Sequence, residues 1–430
     1  MTSADFCTAV GYQAGSAINT GAYNTLIGHQ SGDAITSGNT NTAVGHGSLG
    51  SNTVGDRNTA VGSGALSAFN PDSNTDDSNT AVGYGALNEL TTGVRNIAFG
   101  GLALGGAVTT EGNNVAIGFA SMSANVAGGE YNTAIGNLSL PNLTSGDKNT
   151  ALGHNAGNGL NTANNSVLIG YEAGKGITSQ NSNVCIGYQA GVGLAQSSNV
   201  LIGTSAGLSA GGAAENTGVG SSVLIHLTNG TDNVALGESA GEDISTGDYN
   251  VMIGANSTAS TGDAQSQNVL GHNVTSSGNG TFTFGSGSND TTATNGGTTW
   301  SAPSDIRIKK NIETSTVGLS FINDLRPVNF KFKTKGELDS DFYLYEEGST
   351  ESASFTDGVV NGFIAQEIKT VIDNHPEYKG DELWKEGLEK HDKRQRVSPT
   401  ALIPILTKAV QELSATVTTL QQEINTLKGE

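Results

Sequence analysis

The chain has 430 residues, of which only 14% are charged and 61 are glycine, and its 20 cations stand against 40 carboxylates for a formal net charge of -20. So acidic a chain, without a basic stripe, cannot neutralise a phosphate backbone, which argues against nucleic acid as a partner. No apolar run approaches the roughly 18 residues that would span a bilayer, and the opening "MTSADFCTAVG" lacks the basic-then-apolar order of a secretory signal, so no membrane span or export signal is expected.

The charge is unevenly shared. Residues 1–300 hold only Arg57, Arg95, Lys148 and Lys175 as cations against 19 carboxylates, and the other 16 cations follow residue 300. Before that border the chain repeats itself. Aligning on the glycine that ends "NTAVG" and its variants gives Gly11, Gly28, Gly45, Gly62, Gly83, Gly100, Gly118 and so on to Gly271, with a fainter copy at Gly285. Most steps are 17 residues, with excursions to 16, 18 and, between Gly62 and Gly83, 21.

Each position of the unit has a physical reading. One residue before the anchor glycine stands Val, Ile, Leu or Phe, and three before it Thr or Val; alternation of this kind predicts a strand with one buried face. Four before it stands Asn in nearly every copy (Asn24, Asn41, Asn58, Asn79, Asn96), and stacked copies would set these amides in a ladder. Three after the glycine comes a small residue such as Ala65 or Ala86, about seven after it an apolar one such as Ile35, Phe69 or Leu90, and about ten after it a turn glycine. The unit reads as strand, turn, strand, turn. It is too small to close a core alone, so coils must stack. The expected fold is mainly β: a parallel β-roll or β-helix solenoid over residues 1–290, whose roughly sixteen coils at about 4.8 Å each make a rod near 80 Å long.

Site-like residues inside the repeat have plain alternatives. His29, His46, His154 and His272 share the slot after the anchor glycine with Tyr12, Tyr84, Tyr171, Tyr188 and Asn137. A slot that takes Tyr and Asn as readily is not a dedicated metal ligand, and no metal or other cofactor is expected. The tyrosines read as surface or interchain packing more than as sugar platforms. Asp72, Asp76 and Asp77 in the long step match no Ca²⁺-loop spacing and read as a solvated bulge. Cys7 and Cys185, about ten coils or 50 Å apart at strand spacing, cannot form a disulfide and read as small buried fillers.

The segments "NTAVGHGSL", "NVAIGFASM" and "NTALGHNAG" resemble the head repeats of trimeric autotransporter adhesins. That resemblance, over roughly residues 5–285, implies a left-handed parallel β-roll in a three-chain rod.

Residues 291–303 read as a linker, and 304–430 as a separate α+β domain. Val328, Phe330 and Phe332 alternate with polar residues, which predicts a strand, and "GFIAQEIKTVIDNHP" predicts a strand-like run followed by a helix ending near Pro376. Over 399–428 the heptad is sustained: Ile403, Val410, Val417 and Ile424 at a, Leu406, Leu413, Leu420 and Leu427 at d. This predicts a coiled coil. β-Branched a positions with Leu at d favour two strands, whereas the small uncharged flanks Ala409, Ser414 and Thr416 suit a three-stranded seam.

"SDIRIKKNI", "NGFIAQEI" and "VSPTALIPILTKAVQEL", in that order, resemble the intramolecular chaperone domain of phage endosialidases and tail fibres. The resemblance implies a domain that assembles a homotrimer, helps the upstream fibre fold, and then cuts itself off with a Ser/Lys dyad. Carried over by motif, Ser304 is the nucleophile, Lys309 the general base, and the cut falls between Pro303 and Ser304. A lysine serves as a base where burial or nearby cations depress its pKa. Arg307 and Lys310 would supply such cations, and Asp305 would act in the opposite sense. His375 and His391 are left without a role. The expected protein is a bacteriophage tail fibre exposed on the virion, whose partners are two copies of itself, a host cell-surface receptor (glycan or protein) and other tail proteins. The alternative is a cellular surface adhesin carrying the same chaperone. No multi-turnover activity is expected.

Overall fold

The structure is a computed structural model and describes residues 5–73, 77–106, 112–125, 128–287, 290–297, 299–301, 304–340, 342, 344–354, 358–386 and 395–429. Pro303, Asp76 and His391 lie outside these residues. The chain divides into two compact units, Met1–Ser304 and Asp305–Glu430.

The first unit is a parallel solenoid with one short strand per coil, from β1 (Thr8–Val10) through β16 (Asn268–Gly271) to β17 (Thr281–Gly285). The register repeats from coil to coil: Thr8 pairs with Thr25 and Thr25 with Thr42, and across the 21-residue step Thr59 still pairs with Thr80. Extra residues are therefore accommodated outside the strands. The anchor glycines are obligatory because their φ lies near +135°, and a Cβ on Gly45 would stand 2.5 Å from the carbonyl oxygen of Gly62.

Each strand buries one face, but the inward residue is its middle one. Leu26, Ala43, Ala60, Leu168 and Cys185 are fully buried. The larger apolar residue beside the anchor faces outward: Val10, Phe99 and Leu236 are 58%, 56% and 49% exposed. The second predicted strand is replaced by consecutive turns. Residues two and four after the anchor take left-handed φ, as in Gln13 (57°) with Gly15 (59°) and Gly47 (60°) with Leu49 (53°). These turns still bond from coil to coil, Gly15 N–H donating to Ser31 O at 3.0 Å and Leu49 N–H to Ala65 O at 2.9 Å.

Strand and turn share one core volume. Where the strand residue is Leu168 or Leu201, the turn residue is Gly174 or Gly207, and a Cβ on either glycine would lie 2.5 or 2.6 Å from that leucine's methyls. Where the strand residue is Ala43, Ala60 or Ala81, the turn residue is Leu49, Leu66 or Leu87, all fully buried. In these coils the two columns exchange bulk at close to constant volume, and where both are small, as at Ala151 with Gly157 and Ala235 with Gly241, Leu140 and Leu224 of the preceding coil reach towards the glycine, as dense packing requires.

The asparagine ladder forms and is buried. Asn233 N–H and Nδ2 both donate to Asn216 Oδ1 at 3.0 Å, and Nδ2 also donates to Gly247 O at 2.8 Å. Cys7 occupies the same slot in the first coil, where its Sγ lies 3.4 Å from Gly21 O. A second polar ladder runs two residues earlier. Asn39 N–H donates to Asp56 Oδ1 at 2.6 Å, and Asp56 N–H to Asp77 Oδ2 at 2.9 Å. Asp77 is fully buried on this ladder and so is not part of a solvated bulge. Burial pushes the Cys185 thiol up to about 12, as befits a filler.

At its end the rod changes pattern within the stretch expected as a linker. β17 pairs antiparallel with β18 (Thr291–Thr294), and Thr292 and Ser301 exchange backbone hydrogen bonds at 2.8 Å. Trp300 packs edge-on against Phe282 and Phe284, with centroids 5.9 and 5.3 Å away.

The second unit holds α1 (Leu319–Asp324), β19 (Val328–Phe330) antiparallel to β20 (Val360–Gly362), α2 (Ala365–Asn374), β21 (Trp384–Lys385) antiparallel to β22 (Arg396–Val397), and α3 (Leu402–Lys428). Val317, Phe321, Ile368, Leu383, Leu402 and Ile405 form its core.

Leu168→Ala is expected to destabilise the rod by about 2–5 kcal/mol. Adding Gly174→Leu should recover a large part of that loss, since Leu49 and Leu66 already occupy the same turn position. Urea unfolding of the three variants checks this; a double variant no better than Leu168→Ala contradicts the shared-volume account.

Candidate functional site

The segment that opens the second unit is organised by a single 3-10 turn, Ile306–Ile308. Asp305 caps it, accepting from Arg307 N–H at 2.8 Å, and grips the Arg307 guanidinium in a fork, with Nε at 3.0 Å and Nη2 at 2.7 Å. The guanidinium holds the Asp305 carboxyl below the usual carboxylate range. Ser304 stands just before this turn and Lys309 just after it, its N–H donating to Ile306 O at 3.1 Å. Five extended residues would span roughly 17 Å, and the turn, rising about 2 Å per residue, shortens that separation. Ser304, Asp305, Arg307 and Lys309 are all exposed in the single chain. The Arg307 guanidinium, expected as a cation near the lysine, is held by Asp305.

The rest of the unit fixes the helices around that segment's continuation. α1 begins at Gly318, which has no side chain to cap it, and Glu412 of α3 reaches across to accept from Leu319 N–H at 2.8 Å. A Cβ on Gly318 would collide with that carboxylate. Arg326 pairs with Glu367 of α2, its Nε 2.9 Å from Oε2. His375, at the C-terminal cap of α2, is buried between two acids. Its Nδ1 lies 2.7 Å from Glu377 Oε1 and its Nε2 2.8 Å from Asp324 Oδ2, the last residue of α1. Both bonds form together only when both ring nitrogens carry hydrogen, that is, as imidazolium. Glu377 first and Asp324 second raise the His375 pKa above its ordinary value, against the opposing effect of burial. Sequence reading left His375 without a role because Asp324 lies 51 residues away; only the nearby Glu377 was a visible signal.

Two apolar surfaces are left uncovered. On the rod it is the column of outward residues beside the anchor glycines. On α3, Leu402, Ile405 and Ala409 face their own domain, while the a and d residues face away from it, Val410, Val417 and Leu427 being 65%, 56% and 87% exposed. The first turns of the helix therefore pack on its own unit, and from Leu413 onward nearly all of the helix, heptad seam included, is exposed. Among the repeat's candidate residues, His29 stacks between Tyr12 and His46 at 5.2 Å, and Tyr171 between His154 and Tyr188 at 5.5 and 5.3 Å, so these rings cover each other's faces. Among the described residues no cluster of three His, Cys, Asp or Glu side chains is placed to hold a metal ion.

Residues 304–375 match the family described as chaperone of endosialidase. No curated protein and no solved structure matches the chain. The match begins on Ser304 and ends on His375, so it spans the capped turn, α1, the β19–β20 pair and α2.

Because the His375 pKa is raised, its contribution to the stability of the second unit is complete below the unfolded value of about 6.5 and is lost as pH rises through the folded value. The C-terminal transition in calorimetric scans of the intact chain should therefore fall in temperature as pH rises above 6.5. His375→Gln should flatten that dependence; an unchanged profile contradicts the clamp.

Proposed function

We propose that the chain is one of three in a fibre of the bacteriophage tail type, whose second unit assembles the trimer and then cuts itself off between Pro303 and Ser304. The observation that carries this reading is the pair of uncovered apolar seams, one on each unit. Soluble single chains rarely leave a contiguous apolar patch beyond a few hundred Å². The apolar stripe on the rod and the eight heptad positions on α3 are surfaces of that kind, and copies of the same chain would cover both.

The repeat explains the need for a chaperone. Coils alike in sequence can pair one step out of register and lose only their end contacts, so mis-registered assemblies lie close in energy. A C-terminal seam that zips first fixes three chain ends together. Cutting after assembly removes the clamp and leaves a rod whose persistence is kinetic. In the reaction, Lys309 in its neutral form takes the proton of Ser304 Oγ as Oγ attacks the carbonyl carbon of residue 303. The amine of Ser304 then leaves with a proton, and water hydrolyses the resulting ester. Assembly would supply the covering that the exposed segment lacks, so cleavage follows trimer formation. The mature rod, carried on a virion, meets a cell-surface receptor on one side and other tail proteins on the other.

Intact-mass measurement of the purified protein should find fragments that meet between Pro303 and Ser304. Ser304→Ala should leave the chain whole, and Lys309→Arg should slow the cut by about 100-fold or more. If Ser304→Ala yields the same fragments, the assignment of the nucleophile is wrong.

A further inference from the structure

Two further exposed columns flank the outward apolar stripe: the residue five before each anchor glycine and the residue one after it. Both stack along the rod, Phe6 on Tyr23 at 5.2 Å in the first column and His29 on His46 at 5.2 Å in the second. Within a coil, six residues separate the columns, a span of up to about 20 Å at strand rise. They nevertheless exchange bulk. The coil with Arg95 in the first column has Gly101 in the second; the next has Asn113 and Phe119, and the next Tyr131 and Asn137. Large faces small in six consecutive coils, from that of Gly45 to that of Gly136, whereas the coils of Gly11, Gly28 and Gly153 carry large residues in both columns.

In the core, the same exchange arises between columns that touch. The flanking columns stand on opposite sides of the strand, so we propose that they meet between chains: copies lie side by side, parallel and at the same coil height, with the first column of one copy against the second column of the next. This rests on the trimer reading above and specifies its contacts. Joining one edge to the opposite edge is a heterologous contact, which closes into a ring and turns the apolar stripes inward. At equal height, Arg95 meets Gly101 of its neighbour, where the Phe119 ring already leans over the glycine, so the guanidinium meets an aromatic face. A slip of one coil sets Arg95 on Phe119 and Asn113 on Asn137, large on large and small on small. The columns are thus a register key over the coils from Gly45 to Gly136.

The test uses the full chain with Cys7→Ser; Cys185 is buried and stays. A short bismaleimide is added to Arg95→Cys/Gly101→Cys, at one coil height, and to Arg95→Cys/Phe119→Cys, one coil apart, and the products are read on a denaturing gel. The expected result is a covalent three-chain band from the same-height pair and its loss from the shifted pair and from Arg95→Cys alone. Tyr131→Cys/Asn137→Cys is a second same-height pair, should the glycine site not tolerate a side chain. Linking by the shifted pair, or by Arg95→Cys alone, overturns the proposed contact while leaving a trimer standing. A protein that sediments as a single chain overturns both readings.

Discussion

A coil of about 17 residues cannot bury anything alone, and the rest of the molecule follows from that constraint. Each coil offers one inward strand residue, one inward turn residue and one asparagine, and each of these is completed by the coil above or below. The anchor glycine lets adjacent backbones approach to contact, with a Cβ on Gly45 falling 2.5 Å from the next glycine's carbonyl oxygen. The amide ladder then satisfies polar groups that the narrow core would otherwise orphan, where each unsatisfied group would cost about 1–3 kcal/mol. Strand register is consequently kept across the one 21-residue step, since Thr59 must still meet Thr80 for Asn79 to reach Asn58.

Stacking solves the core but not the outer face. The strands alternate, so an inward Ala or Leu leaves an outward Val, Ile or Phe, and coil after coil repeats the arrangement into a stripe. The second unit has the same unfinished character: α3 uses Leu402, Ile405 and Ala409 to join its own core and leaves its heptad seam exposed. Both surfaces have the periodicity of the elements that carry them, which is the property that another copy of the chain matches by construction. Ser304 and Lys309, on either side of the capped turn, are likewise exposed in the single chain, so the proposed chemistry, clamp and rod share one requirement for burial between chains.

What could be read from the sequence was whatever the chain states many times over. The period, the anchor glycine, the asparagine ladder and the heptads each recur, so chance placement averages out. Which strand residue points inward was not legible, because the outward residue of each strand is as apolar as the inward one. The missing second strand was hidden because Gln13, Gln30 and Leu49 adopt left-handed backbone without being glycine. Singular long-range contacts left no pattern: Glu412 on Leu319 spans 93 residues, and His375 on Asp324 spans 51. In the candidate site, the spacing of Ser304 and Lys309 was plain, but the Asp305–Arg307 fork that organises the turn emerged only from the geometry.

The account stands on the claim that the exposed stripe and the exposed seam are covered by copies of the same chain. Native mass spectrometry of the Ser304→Ala protein addresses it most directly. The account predicts one dominant species at three times the 43.6 kDa of a single chain. A stable, soluble single chain at micromolar concentration would contradict it.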